Sequence, residues 1–465
     1  MDRRDFLKAV LATGALYSTG GLPILGSKAF AAVFPALGNR VLVDVMLAGG
    51  PDMRHLLPPP FDPDPTSYGY LFWQAKARAH GIADTSSAWQ SRWENDYFQV
   101  GDGTTTFGIL KNCAWLKAMW DAGKVAIICN VVGGTTRNHS HCQLIMDQGN
   151  RTSGPNDFNR SGWGGRLAAA AQGNVLALTR APRRFCYGPD PTDPENHNNQ
   201  NLISASDTRR MALYRPPASD SVITPRAVIA RSLESYYAAK SQEISADSVY
   251  YRFVALERSA REFGDMVSAR LAQIPEPTQL SALYGGALAT PYFGEQLRNL
   301  YDSFACSDIL QLRVASLELA SWDSHKNQSA LIEPKLNDMF GSGKGFDTLF
   351  NQLPQDALDN MVLVIGGEFG RQLVANGGNG TDHGRGNAMM VVGNRVRGGI
   401  YGEMFPQDEL ARLDVPSADI TGLTAIDHVF GAVCDWVSPG SGDVVFPDRG
   451  SADLEPGVSL SSLLL

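Results

Sequence analysis

A mostly parallel β-sheet flanked by helices is the fold predicted for this 465-residue chain, and three observations predict it. Short, largely apolar runs recur at residues 41–47, 125–129, 312–319, 361–365 and 388–392, and runs of this kind read as strands buried on both faces. Segments with helical periodicity separate them, the alternation that builds parallel sheets. Several of the runs end in glycine-rich turns carrying Asp or His, and open α/β sheets place their chemistry just past the carboxyl ends of such strands.

The elements follow in order. Asp2-Arg3-Arg4-Asp5-Phe6-Leu7-Lys8 resembles the bacterial twin-arginine export motif, and a weakly apolar run leads from it to an A-x-A cleavage site at Ala29-Phe30-Ala31. Gly14, Gly20, Gly21 and Pro23 interrupt that run, making it a poor membrane anchor. Residues 1–31 are therefore expected to be a twin-arginine signal peptide. Residues 32–465 are expected to be the mature α/β domain, handed to the twin-arginine translocase and released as a periplasmic or secreted protein with no membrane span.

The first strand, Val41 to Leu47, closes on Ala48-Gly49-Gly50-Pro51-Asp52. Residues 58–107, rich in Pro, Trp, Tyr and Gly, read as an irregular excursion, and Leu116 to Trp120 as part of a short amphipathic helix. A second strand ends near Gly133-Gly134, and the polar, Pro- and Asn-rich stretch 186–225 reads as a long loop. Val249, Phe253, Leu256, Ala260, Phe263, Val267 and Leu271 recur at three- and four-residue steps until Pro275 stops them. They mark a helix inside a helical layer or insertion spanning about 226–310. After the strands at 312–319, 361–365 and 388–392, Ile420 to Val437 is predicted as a terminal helix packing on the sheet.

Loss of residues 1–31 removes four basic and two acidic side chains, moving the formal charge from −8 to −10. An acidic, unpatterned surface argues against nucleic acid or anionic membrane as the partner. The six cysteines are widely spaced with no C-x-x-C pair, so disulfides and reduced buried thiols both stand open.

Four polar clusters each lie just after a predicted strand: Asp52; Asn138-His139-Ser140-His141; Asp323 with His325; and Glu368 with Asp382-His383. In a parallel sheet all four converge on one edge. Asp and neutral His are suitable ligands for zinc, manganese or iron, and carboxylates also suit magnesium or calcium. Ser140, between two histidines, reads either as an activated nucleophile or as a helix N-cap. His141 reads as a ligand, a base or a packing residue. Arg371 reads as an oxyanion clamp or, preferably, as a surface ion-pair partner of Glu368.

The ordered blocks GGPD (49–52), NHSH (138–141), SGWGGR (161–166), SWDSH (321–325) and EFGR…GTDHGRGN…VRGGIYGE (368–403) resemble the twin-arginine-exported domain-of-unknown-function family 1501, grouped with the alkaline-phosphatase and sulfatase superfamily. The resemblance implies a three-layer α/β/α sandwich of alkaline-phosphatase type. It also implies a metal-dependent hydrolase of phosphate or sulfate esters, small or polymeric, with zinc as the first choice of divalent metal. Carried over by position, Asp52, Asp382 and His383 would hold one metal beside a Ser140 nucleophile assisted by His141, while Asp323 and His325 would contribute to a second. The departures are a short Asp-x-His spacing and His428 as the sole candidate for a late histidine, placed in a predicted helix. They leave a non-catalytic periplasmic or cell-surface binding or assembly protein on the same fold as the alternative. The aromatic stretch from Tyr68 to Trp93 suggests a weaker third option, a carbohydrate-directed role.

Overall fold

The computed structural model describes residues 34–35, 37–134, 136–193, 196–211, 225–245, 248–447, 449 and 458–465. The twin-arginine motif and the cleavage site lie outside the described residues. Among those described, no helix is long and apolar enough to cross a membrane.

Nine strands form the main sheet. They are β1 (Val41–Leu47), β2 (Val125–Val132), β3 (Asn174–Ala177), β4 (Leu202–Ser204), β5 (Leu312–Leu319), β6 (Met361–Gly366), β7 (Asn387–Val392), β8 (Gly399–Tyr401) and β9 (Thr424–Ala425). The order across the sheet is β8-β2-β7-β6-β1-β5-β3-β4, with β9 pairing the far end of β2. β1 sits at the centre, parallel to β6 and β5, and every residue in it is buried. That burial on both faces is why its sequence is so nearly continuous in apolar residues. β7 departs from the parallel expectation, running antiparallel to both β6 and β2. It returns from a hairpin beyond the end of β6, so no crossover helix is needed.

Alternate residues of β1 feed two cores. Val41, Val43, Val45 and Leu47 join the cluster holding α1 (Tyr68–Lys76), α6 (Pro291–Ala305) and α7 (Gln328–Phe340). Leu42 and Met46 join the cluster holding α2 (His139–Gln148), α3 (Trp163–Ala170) and α8 (Ile426–Val437). The helical stretch also carries α4 (Pro225–Glu243) and α5 (Val249–Gln273).

Three local expectations are corrected. The excursion at 58–107 is ordered: it contains α1, a helix at Ser86–Asp96 and a hairpin of Tyr97–Gly101 with Thr106–Leu110. Its tryptophans serve the core, with Trp73, Trp89 and Trp93 all buried there. The glycine loop before Asp382 is the turn of a second hairpin, Arg371–Ala375 with Thr381–His383. The terminal helix begins at Ile426, because residues 424–425 are spent on β9.

All strands but β7 run the same way, so the carboxyl ends of β1, β2, β5 and β6 lie along one edge. The segments that follow them carry the polar clusters. The six cysteines are free and buried, and none pairs with another.

Candidate metal centre

His139 is the first residue of α2. Asn138 caps that helix by accepting from the His141 backbone N–H at 3.0 Å, and Gly149 ends it in the left-handed conformation. Asp323 and His325 leave β5 on an irregular segment, and His383 closes the short hairpin that begins at Arg371. Three chain segments thus arrive at one place from far apart in sequence.

The imidazole tips meet there. His383 Nε2 lies 2.8 Å from His325 Nε2 and 3.0 Å from His139 Nε2. Asp323 Oδ1 lies 3.1 Å from both His383 Nε2 and His325 Nε2, and Asp323 Oδ2 is 3.5 Å from His139 Nε2. The other nitrogen of each ring is occupied. His139 Nδ1 donates to Glu368 Oε1 at 2.7 Å, His325 Nδ1 donates to Asp382 Oδ1 at 2.7 Å, and His383 Nδ1 donates to the Arg137 carbonyl at 2.8 Å. Those partners assign the tautomers: with Nδ1 carrying the proton, each Nε2 presents a lone pair. Lone pairs facing one another at such distances repel unless a cation lies between them. One shared proton serves two nitrogens, whereas a metal ion serves His139, His383 and the Asp323 carboxylate together, with His325 Nε2 against His383 at their edge.

The spacing fits that role. An ion about 2.0–2.2 Å from each donor sets its ligand atoms about 2.8–3.6 Å apart, from right-angled to tetrahedral arrangements. The separations among His139, His383 and Asp323, and those of His325 from His383 and Asp323, fall in that interval, and His139, Asp323 and His383 form the group whose donor atoms all lie within 4.8 Å of one another. The set of imidazole and carboxylate donors suits zinc, manganese or iron better than calcium or magnesium.

A buried arginine fixes the carboxylate. The Arg371 side chain is fully inaccessible to solvent and donates to Asp323 Oδ1 at 2.7 Å, the Gly50 carbonyl at 2.7 Å, the Thr381 carbonyl at 3.0 Å and the Trp322 carbonyl at 3.2 Å. It therefore ties the segments after β1 and β5 to the hairpin. The sequence expectation of a surface pair with Glu368 is corrected: Arg371 is buried and its carboxylate partner is Asp323. Gly49 makes the close approach feasible, with φ +119° and room for no side chain, since a Cβ there would sit 2.6 Å from the Asp323 nitrogen. Glu368 is equally enclosed, accepting from the Gly49 N–H at 2.9 Å and from Gln143 Nε2 at 3.3 Å.

Charges at the centre are tuned by these neighbours. Burial opposes ionisation of Asp323, but the hydrogen bond and charge of Arg371 outweigh it and hold the carboxyl at about 2. The Asn376 amide, donating at 2.8 Å, is the first cause holding Asp382 below the ordinary carboxylate range, with His325 adding to it. Burial pushes His383 down, toward the neutral, ligand-competent form, while the hydrogen bond to Glu368 raises His139.

The structure separates the remaining sequence candidates from this point. Asp52 is buried and pairs with Lys76 Nζ at 2.7 Å, while Gln328 Nε2 donates to the same oxygen at 2.9 Å. Burial disfavours the Asp52 anion, but the charge and hydrogen bond of Lys76 outweigh it and keep the carboxyl below its usual range. Asp382 places Oδ1 on the far side of His325 rather than among the Nε2 atoms. His141 points away from the centre, donating from Nε2 to the Ser153 carbonyl at 2.7 Å. Ser140 is exposed on the first turn of α2, where Asn138 and not Ser140 supplies the cap. His428 donates to the Val458 carbonyl at 2.9 Å.

His139 and Glu368 belong to two of the polar clusters, and nothing local in the sequence distinguishes them from their neighbours. The available signal was the pair of histidines flanking Ser140, and helix phase decides which of the two reaches the edge.

Residues 275–419 match the family described as "Protein of unknown function (DUF1501)", which supports that family for this chain. The matched segment contains Asp323, His325, Glu368, Arg371, Asp382 and His383, while His139 precedes it. No curated protein matches the chain.

Proposed function

We propose that this chain is an exported, metal-dependent hydrolase of phosphate or sulfate esters, related to the alkaline-phosphatase and sulfatase enzymes and holding one divalent ion. The observation that carries the reading is the convergence of His139 and His383 Nε2 with the Asp323 carboxylate, with His325 Nε2 beside His383 and Asp323, each imidazole aimed by a hydrogen bond at its Nδ1. Metal-binding histidines almost always donate their other ring N–H to such an orienting partner. One ion is proposed rather than two, because the Asp52 carboxylate is engaged by Lys76 and His428 by a backbone carbonyl.

Held by His139, His383 and Asp323, an ion would supply Lewis acidity to an ester oxygen and lower the pKa of a bound hydroxyl group. The chain does the rest. Arg371 holds Asp323 ionised and in position, and Glu368 and Asp382 keep His139 and His325 in the tautomer that leaves Nε2 free. The half-exposed face of the centre admits an ester, and the nucleophile is either water or the exposed hydroxyl of Ser140, the residue next to His139 on the first turn of α2. Export rests on the Arg3-Arg4 motif and the A-x-A site at 29–31, and places the activity in the periplasm or outside the cell.

The test is elemental analysis of protein exported in a host with a twin-arginine pathway, followed by assay on a panel of phosphate and sulfate esters. Stoichiometric zinc, manganese or iron, lost together with activity in Asp323→Ala and His383→Ala, is expected. Metal-free protein that takes up no added zinc, or full activity after chelation, overturns the proposal. The second reading is a non-catalytic binding or assembly protein on the same fold, supported by the engagement of Asp52 and His428 elsewhere. A co-purifying partner that Asp323→Ala leaves bound, with no turnover of any ester, would favour it.

A further inference from the structure

Beside the histidines, on the Arg137 side, opens a cleft of about 690 Å³, within the range that holds small ligands. Arg137, Arg151, Arg385 and Arg412 line it, against only Asp408 and Asp419. It is joined to the metal centre by the chain itself. The Arg137 carbonyl accepts from His383 Nδ1 at 2.8 Å, and Arg385 stands two residues beyond His383.

The two aspartates do not satisfy the four guanidinium groups. Asp419 is shared between Arg137 at 2.7 Å and Arg385 at 3.3 Å, and Asp408 pairs with Arg412 at 3.1 Å. Among the described residues lining the cleft, neither aspartate is within ion-pair distance of Arg151. Its Nε and Nη1 and the Arg137 Nε are shut off from bulk water and find no hydrogen-bond acceptor among the described residues. The charge of Arg151 favours the anion of the neighbouring Asp427, whose ionisation burial disfavours, but Arg151 Nε and Nη1 make no hydrogen bond to it. Desolvated guanidinium donors without acceptors are rare, because each one gives up its water contacts for nothing. An anionic ligand supplies the missing acceptors, and a tetrahedral oxyanion matches the forked donor geometry of arginine.

We propose that this cleft is an oxyanion subsite that seats a second sulfate or phosphate group of the substrate, so that the enzyme prefers esters carrying at least two such groups. The anion binding stands on the arginines alone, while its assignment to substrate rests on the hydrolase reading above. One anionic group would meet the metal centre and the other would be fixed by Arg151, Arg137 and Arg385.

Isothermal titration of inorganic sulfate and of inorganic phosphate into the chelator-stripped full chain separates the two ideas. Both anions share the required chemistry, and comparing them shows which ester class the cleft favours. Binding that persists without metal and weakens at least tenfold in Arg151→Gln, with zinc uptake unchanged, is expected. Arg385→Gln, a more exposed position, keeps the test open should Arg151→Gln fold poorly, and a threefold or greater loss is expected there. Anion binding that is absent from the stripped protein, or indifferent to both substitutions, overturns the proposal. A chain that binds sulfate through the arginines but takes up no zinc overturns the hydrolase reading and leaves the subsite standing.

Discussion

Replacing Asp382 by alanine isolates the part played by a residue that touches a metal-directed imidazole without joining the donor set. The carboxylate accepts from His325 Nδ1 at 2.7 Å and is itself held by Asn376 Nδ2 at 2.8 Å. Its side chain is 47 % exposed, so water replaces the lost acceptor and no buried group is orphaned. A charge-assisted hydrogen bond of this kind is worth about 1.5–3 kcal/mol when enclosed, and exposure reduces it to about 1–2 kcal/mol. Through the free energy of a tenfold change, about 1.4 kcal/mol, that becomes a loss of roughly 5–30-fold in zinc affinity, in line with substitutions behind metal-binding histidines generally. Glu368→Ala is the matched contrast. That side chain is 0 % exposed, and its removal strands the Gly49 N–H as well as freeing His139. It should lower zinc affinity by a similar factor or more and also destabilise the fold by about 1–3 kcal/mol. Competition of each variant against a chromogenic chelator, with urea unfolding of the metal-free protein alongside, reads both quantities. If Asp382→Ala bound zinc as tightly as the parent while His325→Ala also did, His325 would not face a metal and the reasoning would collapse.

Three further outcomes are expected. Lys76→Met leaves the Asp52 carboxylate, buried at 1 % exposure, without its cation, and the metal-free protein should lose about 3–5 kcal/mol in urea unfolding, much of it recovered in Asp52→Asn/Lys76→Met. Glu333, opposed by burial but held at about 2 by the hydrogen bond and charge of His55 and the charge of Arg92, has a folded pKa below its ordinary 4.5. Its contribution of about 1–3 kcal/mol is therefore complete above about pH 4.5 and disappears as pH falls toward 2; Glu333→Gln should flatten that limb of stability against pH. Ser140→Ala separates the two nucleophiles in an ester-turnover assay: a change of less than about threefold assigns the attack to water, and a loss of about a thousandfold assigns it to Ser140.

Much of the scaffold was legible because burial on both faces leaves a direct mark on composition. β1, β2, β5 and β6 are largely apolar runs, and the helix Val249–Gln273 carries its three- and four-residue spacing openly. The direction of β7 was not legible, since an apolar run carries no sign of which way the chain passes through the sheet. The order at 58–107 was hidden because its aromatic and proline-rich composition resembles that of a loop until Trp73 and Trp93 are seen in the core.

Chain order alone determined that Asp and His would collect beyond the strand ends, and Asp323, His325 and His383 were among the candidates for that reason. Which atoms meet was decided only in three dimensions. Helix phase at the start of α2 turns His139 toward Glu368 and His383, and sends His141 to Ser153. The path of α1 brings Lys76 to Asp52, converting a candidate ligand into half of a buried ion pair. The His139–Glu368 and Lys76–Asp52 contacts each join side chains more than twenty residues apart in sequence, and a distance between such groups is a property of packing that no local pattern of residues encodes.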